Sequence, residues 1–306
     1  MNLLRAIALL AVLTGAACSL WEPPAEPPTA KPEFPEPKFD VPLFELVGSE
    51  LWLAKSPIGS FYLFGAASPS REGGYAKFGP DVQDAYAASQ EVVHEIDLGT
   101  AEPAQTIALM KRYGTLKRPA TLKSRVSRET WALLEARFEE AGFSPDAVRS
   151  MQPWLVSFAL ANHAPLPKGA DPLPVIADRV RERARLARDT PKPVIGLRTL
   201  ESQFQMLAAL PRGVQDSLLR SAFATGPADE LWSSPGLGDL ASPSPELVQL
   251  YEHLVYRRNE QMAERLFQIG IDGKLRFVEV GILHLIGSRG IPALLGQRGY
   301  RISRVQ

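Results

Sequence analysis

A proline-rich segment near the N-terminus sets the first limit on what this chain can fold into. Eight prolines lie between Glu22 and Pro42, mixed with Glu and Lys and with almost no aliphatic residues. Such a segment cannot bury a core, and it favours an extended polyproline II conformation of ~3 Å per residue. We therefore predict a linker over residues 18–45 and a globular part over residues 46–306, which is long enough for one large α/β domain or two smaller ones.

The segment before the linker has the three parts of a secretory signal peptide. Arg5 supplies a positive charge, an apolar run extends from Ala6 to Leu13, and the small residues Gly15, Ala16 and Ala17 follow. The apolar run is far shorter than the ~20 residues that a permanent membrane-spanning helix needs. Residues 1–17 are therefore predicted to be a cleaved export signal.

Cys18 is the only cysteine of the chain. The residues Leu13-Thr14-Gly15-Ala16-Ala17-Cys18 resemble a bacterial lipoprotein processing site, except that Gly15 stands where a leucine is usual. An exported chain with one cysteine forms no internal disulfide, so lipidation gives that residue a role. Because Ser19 rather than aspartate follows, we expect a periplasm-facing lipoprotein of a Gram-negative-type envelope, in the outer membrane. The alternative is ordinary cleavage after Ala17, which would release a soluble periplasmic protein.

The charge balance gives no sign of a nucleic-acid partner. Lys+Arg and Asp+Glu number 34 each, so no net field attracts a polyanion. The charged run from Asp178 to Arg185 interleaves acids with bases, which is typical of a solvated helix face with local ion pairs.

Short apolar segments and helical segments alternate through the globular part and predict an α/β fold. The predicted strands are 51–54 and 61–64, joined as a hairpin, followed by 92–96, 193–197, 276–281 and 300–305. The predicted helices are 80–89, 127–142, one opening at Ser144-Pro145, 171–189, 201–210, 213–222, 245–269, which continues or bends at Arg258-Asn259, and 291–297.

Polar residues near two strand ends are the candidates for chemistry. His284 follows the end of a buried strand, where α/β folds often place functional groups. Glu95 and Asp97 share one face of an otherwise apolar strand and need a cation, a metal or a shared proton, unless Asp97 is solvated beyond the strand end. Period-two alternation turns His94 to the opposite face. Arg258 is a candidate partner for the carboxylates.

Seven segments, taken in order, resemble the TraB/GumN family, to which the Tiki metal-dependent proteases are related. They are Leu51-Trp52-Leu53, Phe61-Tyr62-Leu63-Phe64-Gly65, Val92-Val93-His94-Glu95-Ile96-Asp97, Gly169-Ala170-Asp171, Gly196 to Gln203, Arg258 to Ala263, and Val280 to Gly287 with Gly299-Tyr300 following. The resemblance implies a central mixed sheet with a helical middle insertion, a Tiki/erythromycin-esterase-like α/β fold.

The resemblance also implies a site that binds a divalent metal and activates water for peptide hydrolysis. It assigns Glu95, Asp97 and His284 as metal ligands, and Glu95, His284 and Arg258 as the catalytic residues. Other positions of the family motifs are Gly65, Asn259 and Gly281.

Two departures stand against an intact metal site. The first Gly-x-x-His step of the family reads Gly65-Ala66-Ala67-Ser68, so serine replaces a histidine. The family's Gly-Leu-Glu-Thr reads Gly196-Leu197-Arg198-Thr199, so a base replaces an acid, and its fixed positive charge opposes a cation. Arg198 is expected to pair with Glu95 or Asp97 in place of the metal.

Two hypotheses about function follow. The first is an exported lipoprotein with a degenerate site and no resident cofactor, which binds or assembles components of the cell envelope without catalysis. Its partners would be the membrane, through the lipid anchor, and a peptide or envelope protein. The alternative is a divalent-metal-dependent peptidase or related hydrolase that uses Glu95 and His284.

Overall fold

The computed structural model describes residues 50–66, 78–96, 98, 101–141, 145–161, 171–188, 190–221 and 245–305. The predicted signal peptide, Cys18 and the linker lie outside these residues, so they stay predictions. The helices within the described ranges were too short or too polar to cross a membrane.

Six strands form one mixed sheet in the order β4-β3-β5-β2-β1-β6. Their bounds are β1 Glu50–Ser56, β2 Gly59–Ala66, β3 Glu91–Ile96, β4 Val194–Arg198, β5 Leu275–Gly281 and β6 Arg301–Arg304. The strands β2 to β5 are mutually parallel, and β1 is antiparallel to both β2 and β6. The mixed α/β fold predicted from the sequence is therefore confirmed.

The helices lie between the strands and concentrate in the middle of the chain. They are α1 Pro80–Ala88, α2 Pro103–Gly114, α3 Leu122–Arg125, α4 Arg128–Ala141, α5 Pro145–Val148, α6 Pro153–Ala161, α7 Pro172–Ala187, α8 Leu200–Ala208, α9 Arg212–Ser221, α10 Pro245–Tyr251, α11 Arg257–Ile269 and α12 Ile291–Gly296. A π-helical turn, Glu252–Tyr256, joins α10 to α11. The sequence reasoning missed α2, α3 and α6.

Local signals explain where several elements begin. The β1–β2 turn is held by Ser56, whose hydroxyl donates to the carbonyl oxygen of Gly59 at 3.0 Å. A capping box closes the start of α8, because the backbone N–H of Ser202 donates to the Thr199 hydroxyl and the Thr199 N–H donates to the Ser202 hydroxyl. Pro80 begins α1, where its missing N–H costs nothing.

The two faces of the sheet carry separate apolar layers. On one face, Phe61, Val93 and Val278 pack with Met262 and Leu266 of α11. On the other face, a smaller cluster forms around two phenylalanines of the sheet and two residues of α1, namely Phe64, Phe277, Val82 and Ala85. The largest cluster belongs to the helices of the middle of the chain, with Trp154, Phe158 and Phe204 at its centre.

The parallel strands bring their carboxyl ends to one edge of the sheet. The strands β2, β3, β4 and β5 end there at Ala66, Ile96, Arg198 and Gly281. Loops and helices that follow parallel strands place their first side chains above this edge, where α/β proteins bind their ligands. Residues far apart in the sequence therefore meet at one place.

Candidate functional site

A cluster of polar side chains lies at this edge of the sheet and includes Glu95, Arg258, Asn259 and His284. Glu95 is its acidic member. It lies on β3 and is 0% exposed. Side chains alternate along a strand, so Glu95 projects from the same face as Val93, towards α11. A carboxylate buried this completely needs a compensating charge or donor.

Arg258 supplies that charge. Its guanidinium forms an ion pair with Glu95, and the arginine side chain is itself 1% exposed. A second bond runs from Arg258 Nη1 to the backbone carbonyl oxygen of Leu254 at 3.0 Å. Burial lowers the pKa of Arg258 to about 9, which still leaves the group charged at neutral pH. Glu95 and Arg258 therefore form a buried pair of opposite charges.

His284 contacts the same carboxylate from β5. The histidine ends the 3-10 turn Ile282–His284 that directly follows the strand. Its Nε2 atom lies 3.6 Å from Glu95 Oε2, and both side chains are completely buried. The expectation that a strand end positions His284 agrees with this placement.

Asn259 determines which nitrogen of His284 carries the proton. The Asn259 amide nitrogen donates to the backbone carbonyl oxygen of Arg289 at 2.7 Å, which directs its Oδ1 atom at His284 Nδ1, 2.6 Å away. An amide oxygen only accepts, so Nδ1 is the protonated nitrogen of the neutral ring. The Nε2 lone pair then points towards Glu95.

The surroundings keep the His284 ring neutral. Burial lowers its pKa well below 6.5, and the positive charges of Arg258 and Arg198 lower it further. Protonation would place a third cation in a water-poor site, which is costly. His284 is therefore an uncharged imidazole at neutral pH.

A network around Arg289 holds the segments that carry these residues. The guanidinium of Arg289 forms ion pairs with Glu252 at 2.6 Å and Glu260 at 2.7 Å, and it lies over the ring of Tyr256 at 4.4 Å. It thus ties the π-helical turn and the start of α11 to the loop after His284. The sequence reasoning missed Arg289, because a single arginine in a loop carries no signal of long-range pairing.

Arg198 lies at the same edge but does not contact Glu95, one of its two expected partners; the other, Asp97, lies outside the described residues. Its Nη1 atom donates to Gln261 Oε1 of α11 at 2.9 Å, and Arg258 takes the place next to Glu95. Arg198 pairs with Ile96, so its side chain leaves the strand on the face opposite to Glu95, although its guanidinium reaches Gln261 of α11 on the Glu95 face. Burial lowers the pKa of Arg198 to about 10, and the side chain stays charged.

The two glycine positions of the family motif lie side by side at the ends of β2 and β5. Gly65 pairs with Val280, and the next pair includes Gly281. A Cβ atom built on Gly65 would lie 3.1 Å from the Cα atom of Ile282. The missing side chain thus lets the turn that carries His284 approach β2 closely.

Two of the predicted site residues, Ser68 and Asp97, lie outside the described residues, so their proposed roles stay predictions. His94 projects from the other face, as alternation predicted. Its Nδ1 atom lies 3.6 Å from Glu279 Oε2, away from Glu95 and His284.

The described residues do not fit a resident divalent metal. Glu95 and His284 are a carboxylate and an imidazole of suitable type, but Glu95 already contacts a guanidinium. Within the described ranges, no group of three or more His, Cys, Asp or Glu side chains is arranged to hold a metal ion. The charges of Arg258 and Arg198 would also repel a cation at this place.

A comparison with known protein families gave a match that covers most of the chain. No curated protein and no solved structure gave a significant match. The model of the TraB/PrgY/gumN family matches residues 51–304, which include all six strands except the first residue of β1. The chain therefore belongs to the TraB/PrgY/gumN family.

Proposed function

We propose that this protein is an exported, membrane-anchored member of its family that works in the cell envelope as a binding or assembly protein without metal-dependent hydrolysis. The observation that carries this proposal is the buried ion pair between Arg258 and Glu95. A fixed guanidinium supplies the positive charge that a divalent ion would otherwise supply to the carboxylate.

The energetics of the pair make its replacement by a metal unfavourable. A cation at Glu95 would displace Arg258 and leave a guanidinium buried without its counter-charge. Breaking a buried pair in this way costs about 3–5 kcal/mol. Arg258 also donates a hydrogen bond to the carbonyl oxygen of Leu254, which further stabilises its position.

The position of His284 supports a binding role for the fold around the site. Its ring is held by Asn259 in one tautomer and one orientation. In the proposed function this rigid, buried histidine has a structural role at the sheet edge. The expected partner is a peptide or another envelope protein.

The predicted export signal and lipid anchor support a location in the cell envelope. The signal-like residues 1–17, the single Cys18 and the proline-rich linker together have the composition of a lipoprotein leader. Several acyl chains on Cys18 would hold the globular part at the membrane firmly. We place the protein on the periplasmic side of the outer membrane.

One observation favours a second candidate, a divalent-metal-dependent peptidase. The Nε2 lone pair of His284 lies 3.6 Å from Glu95 Oε2, and neither atom has a hydrogen bond with any described residue. Two ligand atoms of suitable type thus lie close together. In this second candidate, Ser68 or Asp97 would complete the ligand set.

Metal analysis of the purified full chain separates the two candidates. We expect less than stoichiometric Zn, Mn, Fe or Ca after dialysis, and no cleavage of a casein or mixed-peptide substrate with or without added divalent ions.

The matched control is His284→Ala, which removes the Nε2 atom. Any background proteolysis should be unchanged in this variant. A metal bound at one equivalent in the wild-type protein and lost in His284→Ala, together with metal-stimulated proteolysis that the substitution abolishes, would overturn the proposal in favour of the peptidase.

A further inference from the structure

The charges at the sheet edge do not balance among the described residues. Arg258 is neutralised by Glu95, and His284 is uncharged. Arg198 is the remaining cation, and its hydrogen bond goes to the neutral amide of Gln261. The four side chains Glu95, Arg258, His284 and Arg198 therefore carry a net charge of about one positive unit.

The acidic residues on the neighbouring helices are engaged elsewhere. Glu201 of α8 accepts hydrogen bonds from Arg112 at 2.9 Å and from the Tyr113 hydroxyl at 2.7 Å. On α11, Glu260 pairs with Arg289. The described part of these helices thus places no carboxylate on Arg198.

Because Arg198 is partly buried, the lack of a described counter-charge has an energetic cost. The side chain is half-buried, so its guanidinium has lost part of its hydration. Burial is the cause that lowers its pKa, and no described carboxylate raises it. A partly dehydrated charge without a counter-charge is unfavourable, and an anion that binds next to it would relieve that cost.

We propose that Arg198 is the anchor of an oxyanion-binding site at the carboxyl edge of the sheet, which takes a carboxylate or phosphate group of a ligand. This inference rests on the proposed function, because it names the ligand chemistry of the same site. The site would thus have the opposite charge preference from a metal centre.

The geometry of arginine fits this task. The guanidinium is planar and presents five N–H donors in a fixed fork, which suits two-point binding of a carboxylate or phosphate. Gln261 accepts a bond from the Nη1 atom, which orients the fork, and the Nε and Nη2 donors have no hydrogen bond to a described residue. Helix α8 begins at Leu200, two residues after Arg198, and the positive end of its dipole adds to the attraction.

The test is a titration of the purified full chain with sodium acetate and, separately, with sodium phosphate at constant ionic strength. Binding is followed by the NMR signals of 15N-labelled arginine side chains. We expect one arginine Nε–H signal, absent from the spectrum of Arg198→Gln, to shift saturably with at least one of the two anions. A response to acetate alone identifies a carboxylate ligand, and a stronger response to phosphate identifies a phosphate ligand.

Three variants sharpen the result. Arg198→Gln should weaken anion binding by about tenfold or more, because charge-assisted hydrogen bonds are lost, whereas Arg198→Lys keeps the charge and should retain an intermediate affinity. Arg301→Gln, on the exposed edge strand β6, is the matched control and should bind as the wild type does. Circular dichroism and thermal unfolding check that each variant is folded.

The inference is overturned if the wild type shows no saturable shift, or if Arg198→Gln binds both anions as well as the wild type. It is also overturned if anions bind only to Asp97→Asn, because Asp97 would then be the natural partner of Arg198. The metal analysis that tests the proposed function depends on Glu95 and His284, and not on Arg198. A metal-free protein that binds no anion refutes this inference alone, whereas a stoichiometric metal refutes the proposed function.

Discussion

Glu95 illustrates how one buried carboxylate depends on residues from other parts of the chain. Its nearest partners come from α11 and from the turn after β5, at Arg258 and His284. The pair stays charged in the interior because Arg258 compensates the carboxylate at contact distance. Replacing one member would leave the other charge buried and unpaired, which costs far more than losing a surface ion pair.

His284 gives a pH-dependent contribution to stability. Its pKa in the folded protein is well below 6.5, so below about pH 6.5 the unfolded chain binds a proton that the folded protein does not. The free energy of unfolding should be at its full value above this pH and fall as the pH decreases, by up to ~1.4 kcal/mol per pH unit from this group. His284→Gln should remove that part of the slope.

The measurement is urea unfolding of the wild type and the variant between about pH 7 and pH 5. His253→Gln is the control, since His253 is half-buried and its pKa is also lowered, by burial and by Arg257, but with a smaller expected change. Equal slopes for the wild type and His284→Gln would contradict the buried, neutral histidine.

At the scale of elements, the π-helical turn joins two helices into one long segment without a break. The sequence left open whether the helix continues or bends at Arg258-Asn259; it continues there, and the irregularity lies just before, at Glu252–Tyr256. A single π turn inserts one extra residue into an α-helix, with i→i+5 hydrogen bonds, and is frequent at functional sites. Both Arg258 and Asn259 are buried, and Arg289 fixes the turn against the loop that carries His284.

Close packing between the hairpin and the end of α11 leads to a second prediction. Gly59 begins β2, and a Cβ atom built on it would overlap the backbone carbonyl oxygen of Gly270, directly after α11. Gly59→Ala should therefore lower the free energy of unfolding by about 1–3 kcal/mol, since the backbone must shift to make room. Urea denaturation measures the change.

Gly213→Ala is the matched control for Gly59→Ala. Gly213 lies in α9, and nothing lies within 4 Å of the position of its added Cβ atom. That substitution should be neutral or stabilise the protein by up to ~1 kcal/mol, because alanine favours helix. A Gly59→Ala variant as stable as the wild type would show that the hairpin and α11 do not pack this closely.

At the scale of the whole molecule, the topology relates the N-terminal segment to the site. Strand β1 is antiparallel to β2, and Glu50 pairs with Gly65. The N-terminal end of β1 therefore lies at the same edge of the sheet as Glu95, Arg198 and His284.

Replacement of Cys18 tests the anchor. Cys18→Ala should move the protein from the membrane fraction to the soluble fraction, because no thiol remains to carry lipid. Fractionation followed by immunoblotting measures the distribution, and Ser19→Ala is the control that should stay in the membrane fraction. If Cys18→Ala stays with the membrane, or if the wild type is already soluble, the lipid anchor at Cys18 is wrong and cleavage after Ala17 becomes the explanation for a soluble protein.

The sequence by itself determined the features that depend on neighbouring residues. The β1–β2 hairpin, the apolar strands β3 and β5 and the long helix α7 follow from local periodicity and turn residues, and the ordered motifs were enough to indicate the family. The helix α6 was missed because it is apolar on all sides, and its buried residues show no helical period.

Only the tertiary structure decided which charged side chains contact one another. From the sequence, both Arg198 and Arg258 were candidate partners of the carboxylates Glu95 and Asp97. In the structure α11 places Arg258 beside Glu95, whereas Arg198 bonds to Gln261. Contacts between residues more than a hundred positions apart depend on how strands and helices align in space, and no local pattern carries that information.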